Sequence, residues 1–359
     1  MVRPTYAEID LGAIRHNVAQ ISTLIAPSRY CAVVKADAYG HGDAPVAEAA
    51  IEAGATWLAV ALVEEGARLR EAGIDAPILV LSEPIPASVP DIVKWELTPT
   101  VYTVDFLSAL EGSGRRLAVH LKVDTGMHRV GAAPESLPDL LDRLRRAADL
   151  ELQGVWTHFP VADEDPQYTR DQIERFTEIT SGLDVPITHM ANTPGAVLFP
   201  ESRADMCRIG LGTYGLHPCF ETRDKLDLQP AMRVVSHVTH IRRLRGGSRP
   251  SYGRRRELAR DATVATVPIG YADGYPRALS DRAEVLIGGR RHQLAGNVTM
   301  DQIVVDVGDA EVALGDEVVL MGAQGEEEIS ADELADSLGT INYEVVSTFG
   351  PRIPRRYLS

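Results

Sequence analysis

Cysteine is scarce: Cys31, Cys207 and Cys219 are the only three in 359 residues, an odd number that cannot close into a disulfide framework. Positive charge is also short, with 36 Lys+Arg against 51 Asp+Glu. The resulting formal charge of −15 makes nucleic acid or an anionic membrane a poor partner. The basic clusters that do occur, such as Arg143-Leu144-Arg145-Arg146, are expected on solvated helix faces. No uncharged apolar run approaches the roughly 18–20 residues that a membrane span needs. The Ala-rich residues 46–63 are interrupted by Glu48 and Glu52. The chain opens Met1-Val2-Arg3-Pro4 without an apolar signal segment, and with unpaired cysteines this leads to the expectation of a cytoplasmic, reducing location. There is no G-x-G-x-x-G after the first apolar run, so a dinucleotide-binding doubly wound sheet loses its main support.

What is present is 45% hydrophobic and 24% charged, the balance of an ordinary globular protein long enough for two domains. Short apolar runs fall at residues 30–34, 57–61, 77–81, 96–101, 117–123, 152–157, 186–188 and 204–209. They are continuous rather than alternating, which implies strands covered on both faces and hence a parallel sheet. Helical signals lie between them. Asp43 is a candidate N-cap ahead of Pro45, Leu137, Leu140, Leu141 and Leu144 share one face, and Thr169-x-x-Gln172 has the capping-box spacing. About eight strands alternating with helices predict a (β/α)₈ TIM-type barrel. After residue 230 the texture changes to strands linked by turns at residues 232–241, 263–269, 284–287, 302–307 and 317–321, with one clear helix near residues 331–337. This predicts a second, smaller, mostly-β domain.

A (β/α)₈ barrel does its chemistry at the C-terminal ends of its strands. The polar residues at those ends are Lys35, Lys122, Asp124, His158, His189, Asn192 and Arg208. Lys35 stands out. It closes the run Ala32-Val33-Val34 and enters a turn containing Tyr39, Gly40 and Gly42. A lysine in partly apolar surroundings has a depressed pKa and can act as an amine nucleophile. The two glycines would allow a ligand close to the backbone.

The segment Val33-Val34-Lys35-Ala36-Asp37-Ala38-Tyr39-Gly40-His41-Gly42 resembles the pyridoxal phosphate attachment motif of bacterial alanine racemases of fold type III. The likeness continues through Lys122-Val123-Asp124-Thr125-Gly126-Met127-His128-Arg129, Thr157-His158-Phe159, His189-x-x-Asn192 and Arg208-Ile209-Gly210. It goes on through Ser251-Tyr252-Gly253, Gly270-Tyr271-Ala272-Asp273-Gly274, Met300-Asp301-Gln302 and Asn342-Tyr343-Glu344, covering essentially the whole chain in family order.

That resemblance implies a cytoplasmic homodimer that interconverts L- and D-alanine and supplies D-alanine for peptidoglycan. The barrel would span 10–228, and residues 1–9 with 229–359 would form the β domain. Lys35 would hold pyridoxal phosphate through a Schiff base and act as the base on one substrate face. Tyr252 of the partner subunit would act on the other, with His158 and Arg208 in a hydrogen-bonded line behind it. Arg208 would face the pyridine nitrogen and Arg129 the phenolic oxygen. Tyr39, Thr193, Gly210, Leu211 and Tyr343 would hold the phosphate, with Asn192 nearby. Arg129, Met300 and Asp301 would meet the substrate and Tyr271 would narrow its entrance. Lys122 matches a lysine that is carbamylated in some relatives, where it orients the arginine matching Arg129. No metal is implied. The chain departs from the commonest pattern at Thr193, Asn297 and Thr299, where serine, arginine and cysteine are frequent. Three other readings remain: a racemase of broader small-amino-acid specificity, a related barrel decarboxylase, and a non-catalytic cofactor carrier. The related decarboxylases carry an acidic residue where Arg208 stands, and the single-domain carriers lack the C-terminal residues.

The chemistry agrees with the resemblance. Racemisation needs two acid–base groups on opposite faces of one carbon. Tyrosine, with an ordinary pKa near 10, needs a neighbouring positive charge to serve as one of them. An arginine against the ring nitrogen would leave that nitrogen unprotonated, disfavouring a long-lived carbanion and its side reactions.

Overall fold

The computed structural model describes residues 3–359, which divide into two compact units. One comprises Gly12–Ala38 and Gly42–Gln229; the other comprises residues 3–11, Tyr39–His41 and Pro230–Ser359. The first strand, β1 (Tyr6–Asp10), belongs to the second unit.

The first unit contains β2 (Arg29–Val33), β3 (Trp57–Val60), β4 (Ile78–Val80), β5 (Thr98–Val101), β6 (Leu117–Lys122), β7 (Leu150–Trp156), β8 (Ile187–His189) and β9 (Met206–Ile209). All pair in parallel, in the order β8-β7-β6-β5-β4-β3-β2-β9. Sterics favour this arrangement because β3, β4, β5 and β9 are buried along their whole length, as strands covered by helices must be. β8 and β9 do not form a ladder. Asp205 spans them instead, donating its N–H to Thr188 O (3.0 Å) and accepting the Thr188 N–H on its carboxylate (2.7 Å). The result is a nearly closed eight-stranded barrel with helices between its strands.

Two expected helix starts are displaced. The helix Asp43–Glu52 is capped by Gly42, while the Asp43 carboxylate pairs with Arg68 at 3.0 Å. The helix Pro166–Thr180 begins before the expected Thr169 cap, because Asp165 accepts from the N–H groups of Gln167 and Tyr168 (3.1 and 3.0 Å) and Pro166 suits the first helical position. Thr169 then donates to the Asp165 carbonyl at 2.8 Å, and Gln172 turns to the Thr125 hydroxyl at 3.1 Å. The leucines at 137, 140, 141 and 144 do share one buried face of the helix Leu137–Arg146.

The second unit adds β10 (Met232–His237), β11 (His240–Leu244), β12 (Ala262–Val267), β13 (Glu284–Ile287), β14 (Arg290–Gln293), β15 (Ile303–Gly308), β16 (Glu317–Gln324), β17 (Glu327–Ile329) and β18 (Arg355–Leu358). One sheet runs β14-β13-β16-β10-β1-β18 with β17 on β16, and a second runs β11-β12-β15. The sequence suggests one strand through residues 232–241, but the chain changes sheets there. Val238 N–H bonds Asp316 O (2.9 Å) and Thr239 N–H bonds Thr266 O (2.9 Å), handing the strand from one sheet to the other. A second helix, Asn342–Thr348, follows Ala331–Leu338.

Candidate active site

Lys35 sits two residues past the end of β2, where Tyr214 donates its hydroxyl to Val33 O (2.8 Å) and Val34 N–H bonds Ala59 O (2.9 Å). The next four residues, Ala36, Asp37, Ala38 and Tyr39, have φ of 54°, 54°, 51° and 53°, one turn of left-handed backbone made without glycine. Left-handed backbone costs L-residues roughly 1–2 kcal/mol each, so it persists only where its surroundings dictate it. Glu65, 6% exposed, dictates part of it. Its carboxylate accepts the N–H of Ala36 (2.7 Å), Ala61 (2.8 Å) and Leu62 (3.0 Å), tying the turn to the end of the neighbouring strand. Nothing in the spacing of the sequence pointed to Glu65. Burial lowers the Lys35 ammonium pKa, Arg129 lowers it further and Glu65 opposes them. Among the described residues its Nζ has no hydrogen-bond partner.

Arg208, on β9 and 2% exposed, is the hub of the rim. Its Nη1 donates to His189 Nδ1 (2.8 Å), and its Nη2 donates to Thr157 O (2.8 Å), Met190 O (3.0 Å) and His158 Nδ1 (3.1 Å). Guanidinium has only donors, so both histidines accept through Nδ1 and carry their proton on Nε2. His189 then donates to His120 Nδ1 (2.9 Å), a mid-strand residue of β6 that belongs to none of the recognisable motifs. Trp156 stacks on His189 (5.5 Å between centroids) and lies under Arg208 (4.5 Å). Burial holds His120 down to about 3 and, reinforced by Arg208, holds His158 and His189 well below their ordinary value. The positive charge at this end is therefore Arg208's, which burial lowers only to about 10.

Lys122, 3% exposed at the end of β6, also lies over the Trp156 ring, at 4.3 Å from its centroid. Burial, then Arg208 and Arg129, pull its ammonium down to about 7. Asp124 accepts from the N–H groups of Gly126 and His128 (both 3.0 Å), folding the loop that carries the exposed Arg129. On the same rim, past the end of β8, Asn192 caps the helix Thr193–Leu198 by accepting from Gly195 N–H (3.0 Å). The buried Thr193 hydroxyl accepts from Gly210 N–H (3.1 Å), beside the buried Leu211. The barrel thus gathers Lys35, Lys122, Arg129, His158, Asn192, Thr193, Arg208, Gly210 and Leu211 on the C-terminal ends of its strands.

In the second unit, Tyr252 is 75% exposed and Met300 53%. With Tyr271, Asn297, Thr299 and Asp301 they line a cavity of about 1120 Å³. Tyr271 N–H bonds Thr299 O (3.0 Å) and Ala272 N–H bonds Met300 O (3.0 Å), so the two motifs form one surface. Arg352 joins them by pairing with both Asp273 (3.2 Å) and Asp301 (2.8 Å). Tyr39 and Tyr343 approach to 6.2 Å between ring centroids. Gly40 has a different use from the one its sequence suggests. A Cβ there would fall 2.5 Å from Val346 O, so the glycine admits the chain's own backbone.

Residues 9–218 match the family of alanine racemase N-terminal domains and residues 231–357 that of alanine racemase C-terminal domains. The chain belongs to the alanine racemase family. An alanine racemase of Symbiobacterium thermophilum is 46% identical over 99% of this chain and 97% of its own. The solved alanine racemase of Bacillus anthracis with bound L-Ala-P is 39% identical, with a TM-score of 0.95 over 100% of this chain and 96% of that one. A histidine racemase from Leuconostoc mesenteroides subsp. sake also superposes, at 30% identity and a TM-score of 0.93 over 99% and 98%.

Alanine racemases use pyridoxal phosphate, an aldehyde carrying a phosphate and a ring nitrogen that accepts a hydrogen bond. The rim suits such a group. It offers an amine without a hydrogen-bond partner at Lys35 and positive charge at Arg129 and Arg208. Among the described residues, Arg208 Nε–H alone of that guanidinium's donor atoms lacks an acceptor. No group of His, Cys, Asp and Glu side chains among the described residues could hold a metal ion, and no described helix is long and apolar enough to cross a membrane.

Proposed function

We propose that this chain is a pyridoxal phosphate-dependent alanine racemase that moves a proton across the two faces of the alanine Cα. The observation that carries the reading is the Arg208 hub, a permanently protonated donor where a decarboxylase relative would present an acid. The cofactor, when bound, delocalises the electron pair left at Cα. Lys35 holds it and serves as acid–base group on one face, its depressed pKa leaving more neutral amine at neutral pH. Tyr252 of the partner subunit serves on the other face in a homodimer, a reading supported by its 75% exposure beside the cavity. His158 carries a proton on Nε2 because Arg208 occupies Nδ1, so it is set to donate toward the substrate side. Arg208 Nε–H would face the ring nitrogen without releasing its proton.

Tyr39, Asn192, Thr193, Gly210, Leu211 and Tyr343 hold the cofactor's phosphate end, and Arg129 its phenolic oxygen. Met300, Asp301 and Tyr271 of the partner subunit frame the substrate. Lys122, neutral in part near pH 7, is a fit acceptor for carbon dioxide, and the carbamate would pair with Arg129. The domain boundary lies near residue 228, the enzyme works in the cytoplasm, and its D-alanine product serves peptidoglycan. The test is chiral chromatography of L-alanine incubated with protein and pyridoxal phosphate. D-alanine must accumulate in proportion to enzyme, and faster than D-serine from L-serine or D-histidine from L-histidine. A chain that only transaminates or decarboxylates would overturn the assignment.

A further inference from the structure

We propose that Asn297 is a positioning residue that holds the Tyr252 loop in its working shape; the proposal rests on the two-base reading above. The loop does not hold itself. Ser251 lies at φ 64° and ψ −178°, a region that only glycine enters freely, and Gly253 and Arg254 follow at φ 74° and 46°. Such backbone persists only where neighbouring structure over-determines it.

Asn297, 3% exposed, grips the loop from two directions. Its Nδ2 donates to the Tyr252 carbonyl at 2.7 Å, and its own carbonyl accepts the Ser251 hydroxyl at 2.8 Å. A backbone carbonyl only accepts, so the amide must present its nitrogen there. Asn297 Oδ1 is consequently left buried with no hydrogen-bond partner among the described residues, a sacrifice that makes sense when the N–H is what matters. The grip is itself anchored. Ala295 N–H bonds Val304 O (2.7 Å) on β15, and Val298 N–H bonds the Ser280 hydroxyl (2.9 Å). Packing is tight between these points, since a Cβ on Gly296 would fall 2.7 Å from Pro250 O and one on Gly253 would fall 3.0 Å from Asn297 Nδ2. Together these contacts leave the Tyr252 ring one backbone from which to project.

The test compares Asn297→Ala, Asn297→Asp and Asn297→Gln as holoenzymes with the parent. Ala and Asp remove the amide donor, whereas Gln retains one. Displacement of a reacting group by about 1 Å can lower turnover by about a hundredfold. We therefore expect kcat to fall about ten- to a hundredfold in Ala and Asp, with cofactor loading unchanged, a melting midpoint lowered in both and partial recovery of kcat in Gln. Because Tyr252 serves one face only, the α-deuterium isotope effect should rise for one alanine enantiomer and not for its mirror image. A merely structural residue would not produce that asymmetry. If Asn297→Ala fails to fold, the isosteric Asn297→Asp decides. A parent chain without racemase activity would refute the two-base reading. An active parent whose Ala and Asp variants keep kcat within twofold, or change both isotope effects equally, would refute the role of Asn297 alone.

Discussion

Replacing Arg208 by lysine keeps one positive charge and should nevertheless loosen the barrel. The guanidinium serves four acceptors, the buried His189 Nδ1, Thr157 O and Met190 O and the part-buried His158 Nδ1, across the ends of two neighbouring strands. Lysine brings one nitrogen with three protons on a stem that cannot fork, so one or two of those acceptors lose their donor. A buried polar group left unsatisfied costs about 1–3 kcal/mol, giving a loss of roughly 2–5 kcal/mol. In a unit of this size about 1 kcal/mol moves the melting midpoint by roughly 2–4 °C, so the midpoint should fall by about 4–20 °C. Calorimetry at fixed cofactor saturation measures it. Arg143→Lys is the control. Arg143 also forks onto its partners, Glu111 and Ser108, but on the surface, where screening makes the exchange nearly neutral. If the two substitutions shift the midpoint equally, the hub argument is wrong.

Two further perturbations test the buried electrostatics and packing. Lys122 has a folded pKa of about 7 against an ordinary value of 10.5, so between those values the unfolded chain holds a proton that the folded one lacks. Its contribution to stability therefore rises with pH through that window, and Lys122→Met should stabilise most near pH 6 and lose its advantage by pH 10; an advantage that grows with pH contradicts the sign. Gly154→Ala would place a Cβ 2.6 Å from His120 Nδ1 and push that ring off His189. Overpacking of this kind costs about 1–3 kcal/mol, and a denaturant midpoint equal to the parent's would show that the His120 ring has room to move.

The barrel was legible because its strands are continuous apolar runs, and such runs have few other ways to be buried. Less visible was whatever depends on two distant residues. The break between β10 and β11 carries no glycine or proline and is set by Asp316, just before β16, and by Thr266 on β12. The cap of the helix Pro166–Thr180 lies four residues before the Thr169 that the spacing suggests, because Asp165 followed by proline competes better. Among the site residues, Lys35, Arg208 and Tyr252 stand in recognisable local motifs. Glu65, His120 and Asn297 do not. Each acts through a hydrogen bond to a residue far off in sequence, and their types alone suit a solvated helix, a core histidine and a turn equally well. Tyr39 and its neighbours show the same limit, since nothing in Ala36-Asp37-Ala38-Tyr39 announces a left-handed turn.

The central claim is that the two acid–base groups, Lys35 in the barrel and Tyr252 in the β domain, meet across two copies of the chain. Mixing inactive Lys35→Ala with inactive Tyr252→Phe protein tests it most directly, with subunit exchange verified by mass spectrometry of the mixed dimer. A heterodimer pairs one intact Lys35 with one intact Tyr252 of the partner subunit, so racemisation should return to at most about half of the parent rate per heterodimer. Verified exchange with no recovered D-alanine would mean that both groups come from the same chain, and the shared-site account would fall.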